Sequence, residues 1–379
     1  MTDAYVAGVG MPAFESEAAA STLELAVDAA ERATADAGVA LGDVDSVHLA
    51  NVLTEAVGSQ SGLANAFVSA AGVEGVRADR LENTSASGAS AAHRGVEAVE
   101  SGRSNVALVL GVEKMSAADT ATVTDAISTL THDREYAQGV TLPSFGGLAA
   151  GAYLDRYDVP REALADVAVK NHRNGADNPV AQFRKEITVA DALDSPPVAS
   201  PLRLYDCCPM TDGAAALVVA ADGDVRVSGI GSATGTHAVA DRPDPLEIES
   251  VRAASDRVFD DAGLSRDDVD AACIHDAFTV LEWLELEEAG FYEAGAAWEA
   301  TVDGETARDG DFPVNPGGGL KARGHPLGAT GISQLVELTW QLRGDLDGER
   351  QVDGADTGFA VNVAGFGNNS VATILEAAP

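Results

Sequence analysis

Hydrophobic and polar residues alternate along this chain with two different periods, one typical of strands and one typical of helices. An apolar run at residues 4–10 (AYVAGVG) is followed by an alanine-rich amphipathic stretch, and a second apolar run lies within residues 37–51. A period near two predicts a strand, and apolar residues spaced three and four apart predict a helix. The chain therefore opens as strand, helix, strand.

The second half of the chain repeats that order. VRVSGIG at 225–231 corresponds to the first strand, and AGLSRDDVDAACIHD at 262–276 is similar to AGVALGDVDSVHLAN at 37–51. Each half also closes on a short apolar run, at 213–221 and at 359–367. Three matched segments in one order indicate duplication and fusion. Alternating strands and helices predict parallel sheets covered by helices, with ligands near the carboxyl ends of the strands.

The domain boundaries follow from the two copies and from a segment without a counterpart. Residues 1–115 and 206–223 make the first half, residues 224–379 make the second, and residues 116–205 form an inserted loop domain. Insertions of this length usually build a lid or a binding subdomain. Three of its side chains are candidates to face an anionic ligand: His172, Arg173 and Arg184. The alternative is a solvated helical hairpin.

Charge separates this chain from most globular proteins. Asp and Glu number 60 against 24 Lys and Arg, which gives a formal net charge of −36, and only four residues are lysine. Electrostatic repulsion argues against nucleic acid and against anionic membrane surfaces as partners. The acidity is spread along the chain, as in proteins of salt-loving archaea, where screening makes the repulsion tolerable. An unusually acidic protein from an ordinary setting is the alternative.

Nothing in the sequence predicts a membrane protein or an oxidising compartment. The apolar runs are too short to span a bilayer, and the first ten residues lack the charged and apolar regions of a secretory signal. Cys207, Cys208 and Cys273 are an odd, sparse set without the C-x-x-C spacing of a zinc site. We expect a cytoplasmic protein without bound metal, in which the cysteines are small buried side chains.

Candidate chemistry collects where predicted strands meet predicted helices. Ser85 lies in ENTSASGASAA (82–92), at the start of a small-residue helix, where free N–H groups and the helix dipole favour negative charge. A helix N-cap is the alternative reading of Ser85. His275 ends a predicted strand, and His325 precedes a helix in a glycine-rich stretch. If the halves pack about a pseudo-twofold axis, these three side chains converge on one site.

Four motifs in this order resemble the thiolase family. They are E-x-x-S-A-S-G at 82–88, H-D-A-F at 275–278, G-H-P-L-G-A-T-G at 324–331 and N-V-A-G-F-G at 362–367. The H-D-x-F motif is similar to the archaeal and sterol-carrier-type branch, whereas biosynthetic thiolases have N-E-A-F. The resemblance covers nearly the whole chain. It implies an α/β fold, the duplicated five-layered α-β-α-β-α sandwich, with a loop domain covering coenzyme A.

The resemblance also implies two-step acyl transfer, as in β-ketothiolases (acetyl-CoA C-acyltransferases). An acyl group passes from coenzyme A to an enzyme nucleophile, and the carbanion of a second thioester then attacks it. By motif, His325 would be the base for the nucleophile, and His275 would polarise the second thioester carbonyl. The backbone N–H of Ser85, with that of Ala364 or Gly365, would hold the other oxyanion.

Ligands and partners are implied in the same way. Coenzyme A thioesters would be the substrates, and no cofactor would be tightly bound. Contacts to coenzyme A or substrate would come from His172, Arg173, Arg184, Lys321 and Gly324. Because thiolases are dimers or tetramers, and this branch works beside a small OB-fold, zinc-ribbon protein, we expect a homodimer or tetramer and such a partner subunit.

Two departures from the family pattern leave the nucleophile open. In the family the nucleophile is a cysteine, and this chain has Ser85 at that position. The family's second cysteine lies in one of two motifs, and this chain has Asn362 and Ala277 at the corresponding positions. A serine must lose its proton to a base during attack. Three explanations compete: a natural serine-dependent thiolase, a Cys→Ser replacement made to trap a complex, and a homologue without condensation activity. The other candidate functions are a thiolase-like aldolase acting on a β-hydroxyacyl-CoA and a non-catalytic subunit of a multiprotein complex.

Overall fold

The computed structural model describes residues 2–378. Within that range the strands are β1 (Tyr5–Gly10), β2 (Ser46–Ala50), β3 (Arg77–Leu81), β4 (Val106–Lys114), β5 (Pro197–Ala199), β6 (Leu202–Arg203), β7 (Asp212–Ala220), β8 (Val225–Thr234), β9 (Ala271–Cys273), β10 (Thr357–Ala364) and β11 (Asn369–Ala377). The helices are α1 (Thr22–Asp36), α2 (Thr54–Val57), α3 (Leu63–Ala71), α4 (Ser87–Glu100), α5 (Thr120–Ser128), α6 (Asp133–Tyr136), α7 (Leu142–Tyr157), α8 (Glu162–Ala176), α9 (Val189–Asp194), α10 (Glu249–Ala262), α11 (Thr279–Glu288), α12 (Ala297–Val302) and α13 (Leu327–Arg343).

Nine of these strands form one sheet whose order repeats about its centre. The order is β3-β2-β4-β7-β1-β8-β11-β10-β9. Counted outward from the β1–β8 contact, β7, β4 and β2 of the first half correspond to β11, β10 and β9 of the second. The duplication predicted from the sequence is therefore confirmed by the strand order.

The prediction of parallel sheets is wrong for most of this sheet. Within the described residues, the parallel pairs are β2–β3, β2–β4 and β9–β10. Strand β1 is antiparallel to β7 and β8, β4 to β7, and β11 to both β8 and β10. The last strand of each half returns beside the strand before it, as in the β10–β11 hairpin, and antiparallel pairing needs no crossover helix.

Helices α4 and α13 lie between the strands of the two halves. Helix α4 contacts β2, β4 and β11, and α13 contacts β4, β7 and β10. On the outer faces, α1 packs on β1, β4 and β7, while α10 packs on β8 and β11. The succession of layers is helix, strands, helices, strands, helix, which confirms the predicted sandwich.

Small residues bring the N-terminal ends of α4 and α13 together. A Cβ on Gly88 would lie 2.9 Å from the carbonyl oxygen of Gly328, and a Cβ on Gly331 would lie 2.4 Å from the backbone nitrogen of Ala89. Any larger side chain would force the helices apart, because protein interiors are close-packed. The run of small residues after Ser85 is therefore needed to bring two strand–helix junctions together, one from each half.

The segment between β4 and β7 carries helices α5 to α9 and the β5–β6 hairpin. Helices α7 and α8 contact α11 of the second half, and Phe145 and Tyr153 of α7 share an apolar cluster with Phe278 and Trp283. This packing fixes the segment over the carboxyl end of β9. The domain boundaries given above remain a prediction. No helix within residues 2–378 is both long and apolar enough to cross a membrane.

Candidate active site

Ser85, His275 and His325 line one cavity of about 140 Å³. Their exposed fractions are 3, 2 and 5 %. Each comes from a different junction: Ser85 follows β3, His275 follows β9, and His325 precedes α13. The structure therefore brings together, in one cavity, the three buried side chains that the sequence singled out.

Ser85 lies on a strained turn two residues before α4. The preceding residue, Thr84, has a φ of 45°, a left-handed conformation that β-branched residues rarely adopt. The turn is held by Ser87, whose Oγ donates to the Thr84 carbonyl at 2.6 Å and accepts the Asn83 N–H at 2.7 Å. Strain maintained by surrounding hydrogen bonds is frequent at functional sites. Here it turns Ser85 into the cavity.

His325 is held so that its Nε2 carries a free lone pair. Its Nδ1 lies 2.8 Å from Thr330 Oγ1, and that hydroxyl donates its hydrogen to the Pro326 carbonyl at 3.0 Å. Because a hydroxyl has one hydrogen, its oxygen must accept the N–H of His325 Nδ1. We assign the Nδ1–H tautomer on this ground. The backbone N–H of His325 donates to Thr211 Oγ1 at 2.9 Å, which fixes the main chain as well.

His275 is held in the opposite tautomer. Asn362 Nδ2 donates to its Nδ1 at 2.8 Å, so the ring hydrogen lies on Nε2. The backbone N–H of His275 donates to Glu285 Oε2 at 2.8 Å. The rings of His275 and His325 meet edge to face, with centroids 4.9 Å apart. The cavity thus contains one imidazole acceptor and one imidazole donor beside the serine.

Both histidines are neutral near pH 7. Burial, aided by the positive charge of Arg323, lowers the pKa of His325 to about 3. Burial, with a smaller contribution from His325, puts the pKa of His275 well below its ordinary value. A neutral imidazole has one nitrogen that accepts a hydrogen bond and one that donates. His325 can therefore present an acceptor and His275 a donor.

Asp276 ties the two histidine segments together. Its buried carboxylate accepts three N–H groups: the backbone of Leu320 at 2.7 Å, the backbone of Lys321 at 3.3 Å and the side-chain amide of Asn171 at 2.9 Å. A Cβ on Gly319 would lie 2.5 Å from the same carboxylate, so the turn before His325 needs glycine there. Burial raises the pKa of Asp276 to about 6. Sequence reasoning missed this role, although the adjacent His275 was a visible signal.

Glu113 holds the end of β2 and the beginnings of α2 and α13 at the site. Its carboxylate accepts hydrogen bonds from Asn51 Nδ2, from the backbone N–H of residues 52 and 53, and from that of Gly328. Burial raises its pKa to about 7. This residue was also missed, and an acidic residue inside the apolar run VALVLGVEK was the available signal.

The expectation for the cysteines is confirmed in part. Cys273 is buried, whereas Cys207 and Cys208 are partly exposed and line the cavity, so the prediction is wrong for these two. Both side chains pack against the edge of an apolar cluster and stay partly exposed because they border the cavity. Burial raises the pKa of both thiols to about 12, which keeps them protonated.

The candidate oxyanion groups occupy different positions. Gly365 lines the cavity in a left-handed conformation with a φ of 58°. Ala364 belongs to β10 and is paired with Asn369 of β11. Gly365 therefore lines the cavity that contains Ser85, whereas Ala364 does not, and the oxyanion role of either residue remains a prediction.

None of the five residues expected to contact coenzyme A lines this cavity. Arg173 is exposed and pairs with Asp309 at 3.4 Å, and Arg184 is exposed. His172 and Lys321 line a second cavity, which shares residues 207–209 with the first. Gly324 packs on Thr211 with a φ of 118°, a turn that needs glycine. Their roles toward coenzyme A remain predictions.

Metal ligation is not supported within the described part of the chain, where no group of three or more His, Cys, Asp or Glu is arranged to hold an ion.

Known proteins resemble this chain along its whole length. Residues 4–223 match the family model "Thiolase, N-terminal domain", and residues 231–377 match "Thiolase C-terminal domain-like". The chain is 39% identical to an acetyl-CoA acetyltransferase of Methanothermobacter thermautotrophicus, over 99% of this chain and 100% of that protein. It is 30% identical to sterol carrier protein 2 of Homo sapiens, over 98% of this chain and 71% of that protein.

Two solved structures have the same fold. The Ltp2-ChsH2(DUF35) aldolase superposes with a TM-score of 0.86 at 24% identity, over 99% of this chain and 98% of that chain. Human mitochondrial 3-ketoacyl-CoA thiolase superposes with a TM-score of 0.78 at 18% identity, over 100% of this chain and 99% of that chain.

Proposed function

This chain belongs to the thiolase family of acyltransferases, and from that premise we propose that it is an acetyl-CoA C-acyltransferase (β-ketothiolase) with Ser85 as its acyl carrier. One observation carries the proposal: a serine hydroxyl, a free imidazole lone pair and an imidazole N–H line the same buried cavity. Serine chemistry needs a base during attack and donors for the oxyanion, and both are present.

In the first half-reaction, Ser85 Oγ attacks the thioester carbonyl while His325 Nε2 takes its proton. The backbone N–H groups of Ser85 and Gly365 stabilise the oxyanion of the tetrahedral intermediate. The C–S bond then breaks, and the leaving thiolate takes the proton from His325. Ser85 is left as an ester and coenzyme A as the free thiol.

In the second half-reaction, His275 Nε2–H donates to the carbonyl oxygen of a second acyl-CoA. His325 removes the α-proton, because its Nε2 is the one free imidazole acceptor in the cavity. The carbanion attacks the Ser85 ester, the C–O bond breaks, and Ser85 takes the proton back from His325. The product is a 3-ketoacyl-CoA, and thiolysis is the same sequence in reverse.

The cavity suits a short acyl chain. Its volume of about 140 Å³ is small, and its remaining walls include apolar side chains: Met115, Ile127, Leu142, Phe278 and Leu327. We assign these walls to the pantetheine arm and an acetyl or similarly short group. Arg173 and Arg184, exposed on the inserted segment, are our candidates for the phosphates of coenzyme A. No tightly bound cofactor takes part in the proposed reaction.

We further propose an assembly of several subunits working at high salt. The solved aldolase named above combines Ltp2 with ChsH2(DUF35), and we expect this chain to bind a small OB-fold, zinc-ribbon subunit and to form a homodimer or tetramer. The net charge of −36 supports a salt-loving archaeal setting. Supply of mevalonate or polyhydroxyalkanoate precursors is the pathway role that we connect with this activity.

Thiolysis of acetoacetyl-CoA by the wild-type chain, Ser85→Ala and Ser85→Cys tests the function. We expect wild-type activity in concentrated potassium chloride, loss in Ser85→Ala, and retained or higher activity in Ser85→Cys. Cleavage of a β-hydroxyacyl-CoA that survives in Ser85→Ala would favour the aldolase. Inactivity of all three, with and without the small partner, would favour a non-catalytic subunit.

A further inference from the structure

A second cavity of about 280 Å³ lies behind residues 207–209, on the side away from Ser85. Its charged lining residues, Lys185 and Lys321, are both cationic, and the neutral ring of His172 lies beside them. Its apolar lining includes Phe183, Ile187 and Tyr205, and no Asp or Glu contributes to the wall. Two of the four lysines in a chain of net charge −36 therefore border one cavity. The catalytic steps derived above use none of these side chains.

Lys321 is a buried cation without a carboxylate partner in this wall. It is 2 % exposed, its ammonium donates to the Cys207 carbonyl, and it lies 5.8 Å from the centre of the Tyr205 ring. The other lysines outside this cavity, Lys114 and Lys170, each form an ion pair. A buried charge without a counter-ion is unfavourable. The cavity therefore lacks an anion that could pair with Lys321.

Two carboxylates act on Lys321 at longer range, and both are already engaged. Asp206 pairs with Arg161 at 2.5 Å. Asp276 accepts the backbone N–H groups described above. Neither side chain lines the second cavity. Two of the three ammonium N–H groups of Lys321 remain for a ligand, since one is used by Cys207.

His172 also has a buried polar atom without a hydrogen-bond partner. It is 2 % exposed, and its Nδ1–H donates to the Lys185 carbonyl at 3.0 Å. Its Nε2 is buried without a hydrogen-bond partner. Burial, followed by the charge of Lys321, lowers its pKa to about 4. Buried polar atoms normally have partners, and a carboxylate held at Lys321 supplies one when Nε2 takes up a proton from solvent on binding and donates it to the anion.

We propose that this second cavity binds a small apolar monocarboxylate, with its carboxyl group at Lys321 and His172 and its hydrocarbon part against Phe183, Ile187 and Tyr205. The positive lining selects an anion, and the apolar walls disfavour a fully hydrated one such as phosphate. The volume lies just under the range of about 300–1,000 Å³ typical of small-molecule sites. The site goes beyond the proposed acyl transfer and does not depend on Ser85.

Isothermal titration calorimetry with sodium octanoate in potassium chloride tests this site. We expect octanoate to bind the wild-type chain at least about tenfold more tightly than 1-octanol, with inorganic phosphate not binding. Binding should persist when coenzyme A is saturating, because residues 207–209 separate the cavities, and this result would exclude His172 and Lys321 as contacts to coenzyme A. Equal binding of octanoate and octanol, or displacement of octanoate by coenzyme A, would overturn the proposal.

Three variants test where octanoate binds. Lys321→Met keeps the apolar stem and removes the charge, and we expect it to abolish octanoate binding. Leu204, which is 53 % exposed at the cavity, tolerates a polar residue without loss of core packing, so Leu204→Asp should weaken binding by repulsion even if Lys321→Met fails to fold. Leu148→Asp makes the same replacement at a leucine that is 70 % exposed outside the cavity, and it should bind as the wild type. Unchanged binding in Leu204→Asp would contradict the assignment.

Discussion

His275 and His325 lie edge to face in one cavity, yet their Nδ1 atoms meet opposite partners. The partner of His325 is a hydroxyl whose hydrogen is already donated elsewhere, whereas the partner of His275 is an amide N–H. The first arrangement leaves Nε2 as an acceptor, and the second leaves it as a donor. Two rings of the same chemistry are therefore left as an acceptor and a donor by neighbours, Thr330 and Asn362, that do not line the cavity.

A sequence motif identifies a histidine but does not determine which ring nitrogen carries the hydrogen. The motifs at 275–278 and 324–331 identify the histidines, but the hydrogen position follows from Asn362 and Thr330, which belong to β10 and α13. Asn362 lies where the family has a second cysteine. In this chain that residue donates to His275 Nδ1, and in the proposed mechanism α-proton transfer falls to His325.

Replacing His325 by glutamine should have the largest effect. Glutamine is similar in reach but cannot take a proton, so we expect acylation of Ser85 by acetyl-CoA to slow by about 10²–10⁴-fold. Rapid-quench mass spectrometry of the acyl-enzyme measures this rate directly. A fall of less than tenfold would mean that another group acts as the base.

The same replacement at His275 should be far milder, because glutamine keeps an N–H donor. His275→Phe, which has none, should lower acetoacetyl-CoA thiolysis by about 10²–10³-fold, the usual cost of one oxyanion donor. His275→Gln should recover much of that loss, whereas Ser85 acylation should change little in either variant. Equal losses in His275→Phe and His275→Gln would remove the donor role.

Asn362→Asp should reverse the tautomer of His275. A carboxylate accepts the Nδ1–H and leaves Nε2 bare, so thiolysis should fall by about 10–100-fold, the range seen when a partner that orients a site histidine is changed. Asn362→Ala, which imposes neither tautomer, is the matched control and should lie between Asn362→Asp and the wild type. An Asn362→Asp chain as active as the wild type would contradict the assigned hydrogen position.

Thr330→Val should have a smaller effect on acylation. It removes one acceptor for the Nδ1–H of His325 while keeping the shape of the side chain, and a hydrogen bond contributes about 1 kcal/mol, or about fivefold. Thr330→Ser restores the hydroxyl and should restore the rate. A loss in both variants would point to packing of α13 and not to the hydrogen bond.

The smallest expected effect is that of pH on the rate of Ser85 acylation. His325 has a folded-state pKa of about 3, so it is already deprotonated at pH 6 and the rate should change by less than about twofold between pH 8 and pH 6. A histidine with the ordinary pKa of about 6.5 would lose about fourfold. The depressed pKa also means that His325 binds more protons in the unfolded chain between pH 6.5 and 3, so the contribution of His325 to stability is full above pH 6.5 and falls as pH decreases through that window. A rate profile with a midpoint near 6.5 would contradict the buried, neutral ring.

Motif and period together predicted the duplicated sandwich and the meeting of Ser85, His275 and His325. Strand direction was not predictable, because a period of two is the same for parallel and antiparallel pairing. The strained Thr84, the tether at Asp276 and the anchoring carboxylate of Glu113 depend on hydrogen bonds between residues distant in sequence. Local patterns do not encode such distances, so these residues emerge only when the elements are in place.

Whether Ser85 carries the acyl group is tested most directly by intact-mass analysis and peptide mapping after incubation with acetyl-CoA in concentrated potassium chloride, with and without the small partner subunit. We expect an acetyl adduct on the peptide that contains Ser85, and none in Ser85→Ala. An unmodified wild-type chain under conditions in which Ser85→Cys becomes acetylated would mean an intact site with an inert serine, and it would contradict the serine acyl-enzyme.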